Sequence, residues 1–363
     1  MKILQIASAL NDSGGIEKFI LHLAVGLRER GHCVEIAAVP DSWVWQRAQE
    51  RGFVVVPLRV RSQHDLRALS PYVRALRRGQ YDLINTHYSV DYLIPALAAR
   101  RVGQRNVVLT RHVVRPWRGL KRYLYGAALY DHILAVSDAV RNALLAGGIA
   151  PARVTRVHGA VPIPDREIAP ARLREELNLP AETALIGIVS RIAPEKGHRY
   201  LLQAMRAVDP RAVCLVVGEG PDRAAVEAAV RENGLQERVR FLGWRGDSEA
   251  VMAALDVVVQ PSLWEEACSQ AILEGMALGR PMVVTESGGN AELVAHGESG
   301  LVVPKRDAAV LAAALNVLVR DPDLRARMGA AGRQRQQERF SLQAMARGTE
   351  QVYCRLLAGG TNE

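Results

Sequence analysis

No apolar run in these 363 residues is long enough to cross a bilayer, so a membrane-spanning helix is excluded from the reading. The four cysteines, Cys33, Cys214, Cys268 and Cys354, stand far apart. With no C-x-x-C and no His/Cys cluster, zinc spacing is absent and no disulfide framework is implied, which points to a reducing cytoplasm. Aromatic residues are only 5% of the chain and form no stacking motif. No nucleic-acid-binding module is recognisable either, so a basic nucleic-acid binder ranks last among the function classes. The first strand is not followed by G-x-G-x-x-G, which removes the dinucleotide fingerprint. A single D-x-D occurs, Asp321-Pro322-Asp323, and Arg-rich helical sequence follows it. That reads as an N-cap with Pro at the first helical position, and no metal is assigned to it. Met1–Leu10 imitates a signal peptide, but it is short, broken by Gln5, and runs into Asn11-Asp12-Ser13-Gly14-Gly15. A first buried strand is expected there instead.

What is present is an ordinary globular composition, 49% hydrophobic and 23% charged, with length for two or three domains. The charge is uneven. Lys and Arg number 47 against 38 Asp and Glu, a net +9. Residues 1–165 carry +11 and residues 166–363 carry −2. Between 100 and 130 there are eight basic residues and no acidic one. An anionic partner surface is therefore expected for the first half alone.

Short β-branched runs alternate with amphipathic helical stretches throughout. Strands are predicted at Ile3–Ala7, Val34–Val39, Val54–Leu58, Leu83–Thr86, Val107–Thr110, Ile133–Val136 and Val154–Val157. After a Pro-rich linker at 159–165 they continue at Leu185–Val189, Ala212–Val217, Val239–Leu242, Val257–Val259, Met282–Thr285 and Leu301–Val303. Near-continuous apolar strands separated by helices imply parallel sheets covered on both faces. The fold class is α/β, with two doubly wound, Rossmann-like domains at 1–165 and 166–340. A last helix within 341–363 is free to return to the first domain. Ligands of such sheets bind beyond the carboxyl ends of the strands, so two facing domains would enclose a cleft.

The most informative stretch is Pro261–Glu274, which holds Glu266 and Glu274 eight residues apart. A helix starting near Cys268 or Ser269 would aim free N–H groups at whatever Glu266 touches, making an anion site with a carboxylate beside it. A ligand bearing both phosphate and sugar suits that pairing; helix cap and solvated residue fit the spacing as well. Arg191 and Lys196 follow the apolar run Gly187-Ile188-Val189, either to neutralise a departing diphosphate or as two solvated surface cations, and the position directly after a buried strand favours the first. Ser13-Gly14-Gly15-Ile16-Glu17 lies at a strand-to-helix turn, either a close backbone approach to a ligand or a tight turn capped by Asp12 or Ser13. Val217-Gly218-Glu219-Gly220-Pro221 and Phe241-Leu242-Gly243-Trp244 could frame a nucleobase or be simple turns. His87 and His112 end adjacent strands, with Asp91 one helical turn after His87 and placed to orient it.

Taken in order, these pieces resemble glycosyltransferase family 4, retaining enzymes of the GT-B fold. They are Gly14-Gly15-Ile16-Glu17, His112, Ser137, Val157-His158-Gly159-Ala160, Arg191, Pro194-Glu195-Lys196-Gly197, Gly218-Glu219-Gly220-Pro221, Glu266 to Glu274, and Gly275-Met276-Ala277. The resemblance implies that Arg191 and Lys196 bind the donor diphosphate and that Glu274 binds the ribose. It implies that Glu266 and the backbone of Ala267, Cys268, Ser269 and Gln270 hold the transferred sugar, with His112 near that sugar. Gly14, Gly15, Gly218 and Leu242 are further donor-binding candidates, and Glu17, His87 and Arg111 are acceptor-side candidates. Two departures stand out. The usual Gly-Phe-Gly after the first Glu reads Ala267-Cys268-Ser269, and the usual Asn before the inter-domain Gly is His158.

The sequence is therefore read as a metal-independent, retaining glycosyltransferase with no cofactor. Its expected donor is a nucleoside diphosphate sugar such as a UDP- or GDP-sugar. Its expected acceptor is a saccharide or lipid-linked saccharide of lipopolysaccharide or exopolysaccharide type. A sugar-nucleotide epimerase on the same fold is the alternative. Arg115, Arg118 and Arg122 share one side of a helical spacing, and Trp117, Leu120 and Leu124 share another. That arrangement fits a buried apolar stripe under a solvated basic face as well as peripheral docking on the anionic inner face of the cytoplasmic membrane, and the +11 charge of the first half favours docking.

Overall fold

The computed structural model describes residues 1–8, 14–164 and 171–359. Asp12 and Ser13, expected to cap the first helix, and the expected boundary at Asp165 lie outside these residues. The chain divides into two units. One comprises Met1–Ala160 with Phe340–Glu363, and the other Val161–Arg339.

The first unit is built on seven strands: β1 (Lys2–Ala7), β2 (Cys33–Ala38), β3 (Val54–Pro57), β4 (Leu83–Thr86), β5 (Val107–Arg111), β6 (His132–Ala135) and β7 (Val154–Arg156). All pair in parallel, in the order β3-β2-β1-β4-β5-β6-β7. Strands β4, β5 and β6 are buried along their whole length. That is why they read as unbroken apolar runs and not as alternating ones. The second unit holds β8 (Ala184–Val189), β9 (Ala212–Val217), β10 (Val239–Gly243), β11 (Val257–Gln260), β12 (Met282–Thr285) and β13 (Gly300–Val303). These pair in parallel as β10-β9-β8-β11-β12-β13. Ile186, Ile188, Val216 and Val259 pack with helix residues Leu201, Met205 and Leu315 in one core. Each sheet reverses its strand order once, between β1 and β4 and between β8 and β11. A crevice for a ligand forms at such a reversal.

Local chemistry sets the helix starts. Ser137 caps α6 (Asp138–Ala146) by accepting from Val140 N, and Asp307 caps α13 (Ala308–Arg320) by accepting from Ala309 N and Val310 N. In the D-x-D, Asp321 accepts from Leu324 N at 2.8 Å and Pro322 opens α14 (Pro322–Arg339). The last helix, α15 (Leu342–Leu357), starts at the Ser341 cap and belongs to the first unit. It lies on α1 (Gly15–Glu29), where a Cβ on Gly26 would sit 2.9 Å from the Ala346 Cβ and 3.0 Å from the Leu342 carbonyl oxygen. Glu350 takes both Arg30 and His32, and Tyr353 reaches the sheet, where its hydroxyl accepts from Asn85 Nδ2 at 3.0 Å.

The basic stretch after β5 departs from its expected geometry. Only Gly119–Tyr123 is α-helical, followed by one wider turn over Leu124–Ala128, so Arg115 and Arg118 precede the helix. Trp117, outward-facing if the stretch docks on a membrane and inward-facing if its apolar stripe is core, is buried against Tyr92 and Tyr125. An indole with aromatic neighbours buries more area inward than a helical wheel foresees. The exposed apolar groups are Val113, Leu120 and Tyr123, among exposed Arg115, Arg118, Lys121 and Arg122.

Candidate active site

In the second unit two loops meet at the strand-order reversal. From β8 the chain runs through Ser190 and Arg191 into a single turn over Pro194–Lys196. Ile192 N donates to Glu219 O and Asp222 N to Ile192 O, tying this loop to the one after β9. From β11 the chain runs through Pro261–Ser269 into α11 (Gln270–Ala277). Leu263 N donates to Glu195 O at 2.8 Å. Gly197 has φ 76°, and a Cβ there would lie 1.9 Å from the Pro261 carbonyl oxygen, so only glycine lets the loops close together.

This contact brings Lys196 and Glu266 together. The Nζ–Oε1 distance is 2.5 Å, and Ser262 Oγ donates to the same carboxylate oxygen at 3.0 Å. Both side chains are mostly shielded, which strengthens the pair relative to one in open water. Thr285 Oγ1 holds the Ser262 carbonyl at 2.6 Å, and Gly289 N holds the Glu266 carbonyl at 2.8 Å. Glu266 is thus a fixed carboxylate between a cation and the start of α11, and not the helix cap that its spacing also allowed. Ser269 is the N-cap residue in extended conformation, and its side chain makes no capping bond. The first amides of α11 therefore face the loop that carries Ala267 and Cys268. Glu274 follows on α11, half-buried.

Arg191 is exposed and paired with Glu195 at 2.5 Å, a partner that sequence reading passed over although the spacing is i, i+4. Gly218, expected at the donor, donates its N–H to Gly243 O, and a Cβ on it would strike the Ser190 carbonyl. The β9–β10 ladder slips between Phe241 and Gly243, leaving Leu242 as the extra residue of a bulge. Trp244 just beyond it and Trp264 in the β11 loop are both exposed. A cavity of about 300 Å³ beside these loops is lined by Pro194, Gly197, His198, Arg199, Tyr200, Asp222 and Leu263. His198 is buried there with neither ring nitrogen bonded among the described residues.

In the first unit, Gly14 is the N-cap position of α1 and Gly15 its first residue. His87 Nε2 lies 2.7 Å from Gln5 Oε1, and His87 Nδ1 lies 3.4 Å from His112 Nε2. Phe19 meets the His112 ring edge-on at 4.8 Å. Burial drives the His87 pKa well below the ordinary value, and burial with Arg111 nearby lowers that of His112 to about 3. Both rings are neutral at pH 7. Asp91 does not orient His87 as its spacing predicted. Its carboxylate turns to Ser8, accepting from Ser8 N at 3.1 Å and from the Ser8 hydroxyl. Burial raises its pKa to about 7. Arg111 is buried with its guanidinium 4.9 Å from the Trp117 ring centre and donates to the Arg115 carbonyl. Glu17 is buried and accepts from the Tyr88 hydroxyl.

The family profile "Glycosyltransferase Family 4" matches residues 13–163, and "Glycosyl transferases group 1" matches residues 171–335. The 2-deoxystreptamine glucosyltransferase of Streptomyces kanamyceticus is 34% identical over 282 residues, 70% of this chain and 72% of that protein. The lipopolysaccharide core biosynthesis glycosyltransferase LpsD of Rhizobium meliloti is 33% identical over 177 residues, about half of each chain (49% and 51%). Among solved structures, Anabaena Alr3699/HepE in complex with UDP and glucose superposes with a TM-score of 0.85 at 22% identity, over 98% of this chain and 99% of that one.

Proposed function

This chain belongs to glycosyltransferase family 4 and has the GT-B fold. From that membership we propose that it is a retaining, metal-independent enzyme. It would transfer a sugar from a nucleoside diphosphate donor to a hydroxyl of a saccharide or lipid-linked saccharide. The observation that carries this reading is the Lys196–Glu266 pair, held at the strand-order reversal beside the start of α11. A cation there meets the charge that builds on a leaving diphosphate, and the helix amides add donors to it. Arg191 supplies a second cation. Glu266 accepts from hydroxyls of the transferred sugar, and Glu274 from those of the ribose. Solved complexes of HepE with UDP and glucose support a uridine nucleotide as the first donor to try.

Catalysis rests on positioning and on charge stabilisation of the leaving group. The donor phosphate assists removal of the acceptor proton on the same face as the departing group, so the anomeric configuration is kept. Arg191 and Lys196 provide the positive charge that a divalent ion would otherwise bring, and Asp321 is committed to capping α14. The name of LpsD supports an acceptor of lipopolysaccharide type. No helix among the described residues is long and apolar enough to cross a membrane. Reaching a lipid-linked acceptor then falls to the exposed Leu120 and Tyr123 with Arg118, Lys121 and Arg122, a cationic and apolar patch that suits an anionic headgroup boundary.

The test is direct. The protein is incubated with UDP- and GDP-sugars and a panel of saccharide and polyprenol-linked acceptors. Release of nucleoside diphosphate with a new glycoside is expected, its proton coupling showing the donor's configuration, and EDTA leaving the rate unchanged. An inverted product, or activity lost to EDTA and restored by Mg²⁺ or Mn²⁺, overturns the corresponding part of the mechanism. Conversion of the sugar nucleotide without an acceptor would mark an epimerase.

A further inference from the structure

We propose that His87 is a positioning residue that fixes which ring nitrogen His112 presents to a substrate hydroxyl. This rests on the reading that His112 meets the substrate. The geometry is a relay across three adjacent strands, from Gln5 on β1 to His87 after β4 to His112 after β5. The Gln5 side-chain oxygen, 2.7 Å away, accepts from His87 Nε2, which must therefore carry the proton. The Gln5 amino group, buried beside this contact, has no hydrogen-bond partner among the described residues.

A neutral ring carries one proton, so His87 Nδ1 is a bare acceptor. Its neighbour at 3.4 Å, His112 Nε2, then has to be the protonated nitrogen of that ring. By elimination His112 Nδ1 keeps its lone pair, and it has no hydrogen-bond partner among the described residues. Phe19 against the ring, 85° between planes, sets the direction of that lone pair. Burial of both rings, with the Arg111 charge facing His112, keeps the relay neutral at pH 7. His112 is thereby prepared to accept from a substrate O–H. A tautomer that donated instead would bond the hydroxyl oxygen and leave its O–H proton without an acceptor on this ring.

Long-range ¹H–¹⁵N correlation spectra of the ¹⁵N-labelled full chain at neutral pH read this directly. Both His87 and His112 are expected as Nε2–H rings. Protonation of His112 at Nδ1 would mean that the relay runs in reverse, and would overturn the proposal. Two variants follow it into turnover. His87→Phe removes the acceptor, so the His112 signals should become a tautomer mixture and kcat should fall about tenfold, the scale of one neutral hydrogen bond. His87→Gln offers an amide oxygen to His112 Nε2 and should restore most of that loss. Affinity for UDP or GDP alone should stay unchanged in both. Wild-type kcat in a folded His87→Phe protein overturns the positioning role. If the Phe variant does not fold, the wild-type spectrum and the Gln variant still decide. Normal turnover by His112→Ala overturns the underlying reading instead, and the spectrum tells the two failures apart.

Discussion

Lys196 and Glu266 are separated by 70 residues of sequence and by 2.5 Å in space, and that closeness has consequences for both. Lys196→Ala and Arg191→Ala should each cut transfer by about 10²-fold or more, since each removes charge that stabilises the leaving diphosphate. Lys196→Ala also leaves the Glu266 carboxylate without its ion-pair partner, so weakened sugar contacts should accompany the loss. Glu266→Gln should leave affinity for the bare nucleoside diphosphate near wild type, and Glu274→Gln should lower it; calorimetry separates them, and equal losses would refute the division of roles. The buried ionisable groups make a further forecast. His112 titrates near 6.5 unfolded and about 3 folded, so its stabilising share is complete above pH 6.5 and drains away as pH falls towards 3. Asp91 runs the other way: its pKa rises from 3.8 to about 7, so its share is complete below 3.8 and is lost as pH rises through 7. Melting curves between pH 4 and 7 should therefore show His112→Gln losing less stability on acidification than the wild type. A parallel loss in both would refute the assignment. Sequence alone placed Arg191 and Lys196 just after an apolar strand, Glu266 in the loop before a helix and Glu274 within that helix, and the structure has them at those positions. It hid Gln5, which sits inside a strand and reads as an interruption. It misdirected Asp91 towards His87, because helical spacing carries no information about a neighbouring strand such as β1, which Ser8 follows.

At the scale of elements, all thirteen strands were legible, since burial on both faces writes a largely apolar run into the central ones and β-branched residues mark the edge ones. The basic stretch after β5 was not. Spacing alone made Arg115 to Tyr125 one amphipathic helix, whereas the pull of Trp117 into the Tyr92 and Tyr125 cluster shortens it to Gly119–Tyr123. The packing of α15 on α1 could not be read either, because the glycine that permits it, Gly26, looks in sequence like a weak point of α1. The structure gives it a purpose. Gly26→Val should force the two helices apart and cost about 1–3 kcal/mol, a fall of several degrees in the melting temperature of the first unit. Differential scanning calorimetry checks this, and an unchanged transition would show that α15 does not need the close approach.

At the scale of the molecule, charge separates by unit. The first unit, with its returning segment, carries 25 basic and 13 acidic residues, and the second carries 22 and 25. Liposome co-sedimentation should show binding that requires anionic lipid, weakens with salt, and drops when Leu120, Lys121, Tyr123 and Arg122 become Ser. Each basic residue near such a surface contributes on the order of 1 kcal/mol, so the loss should be large enough to see in one experiment. Equal binding to neutral liposomes, or none to anionic ones at low salt, would remove the idea. The return of α15 to the first unit also orders events in time. A ribosome delivers all seven strands of that unit and then the entire second unit before it delivers the helix that covers α1. The earlier unit is thus the later one to be finished. Through most of synthesis the Gly26 side of α1 is an uncovered surface, and a chaperone that reads nascent chains would meet it there.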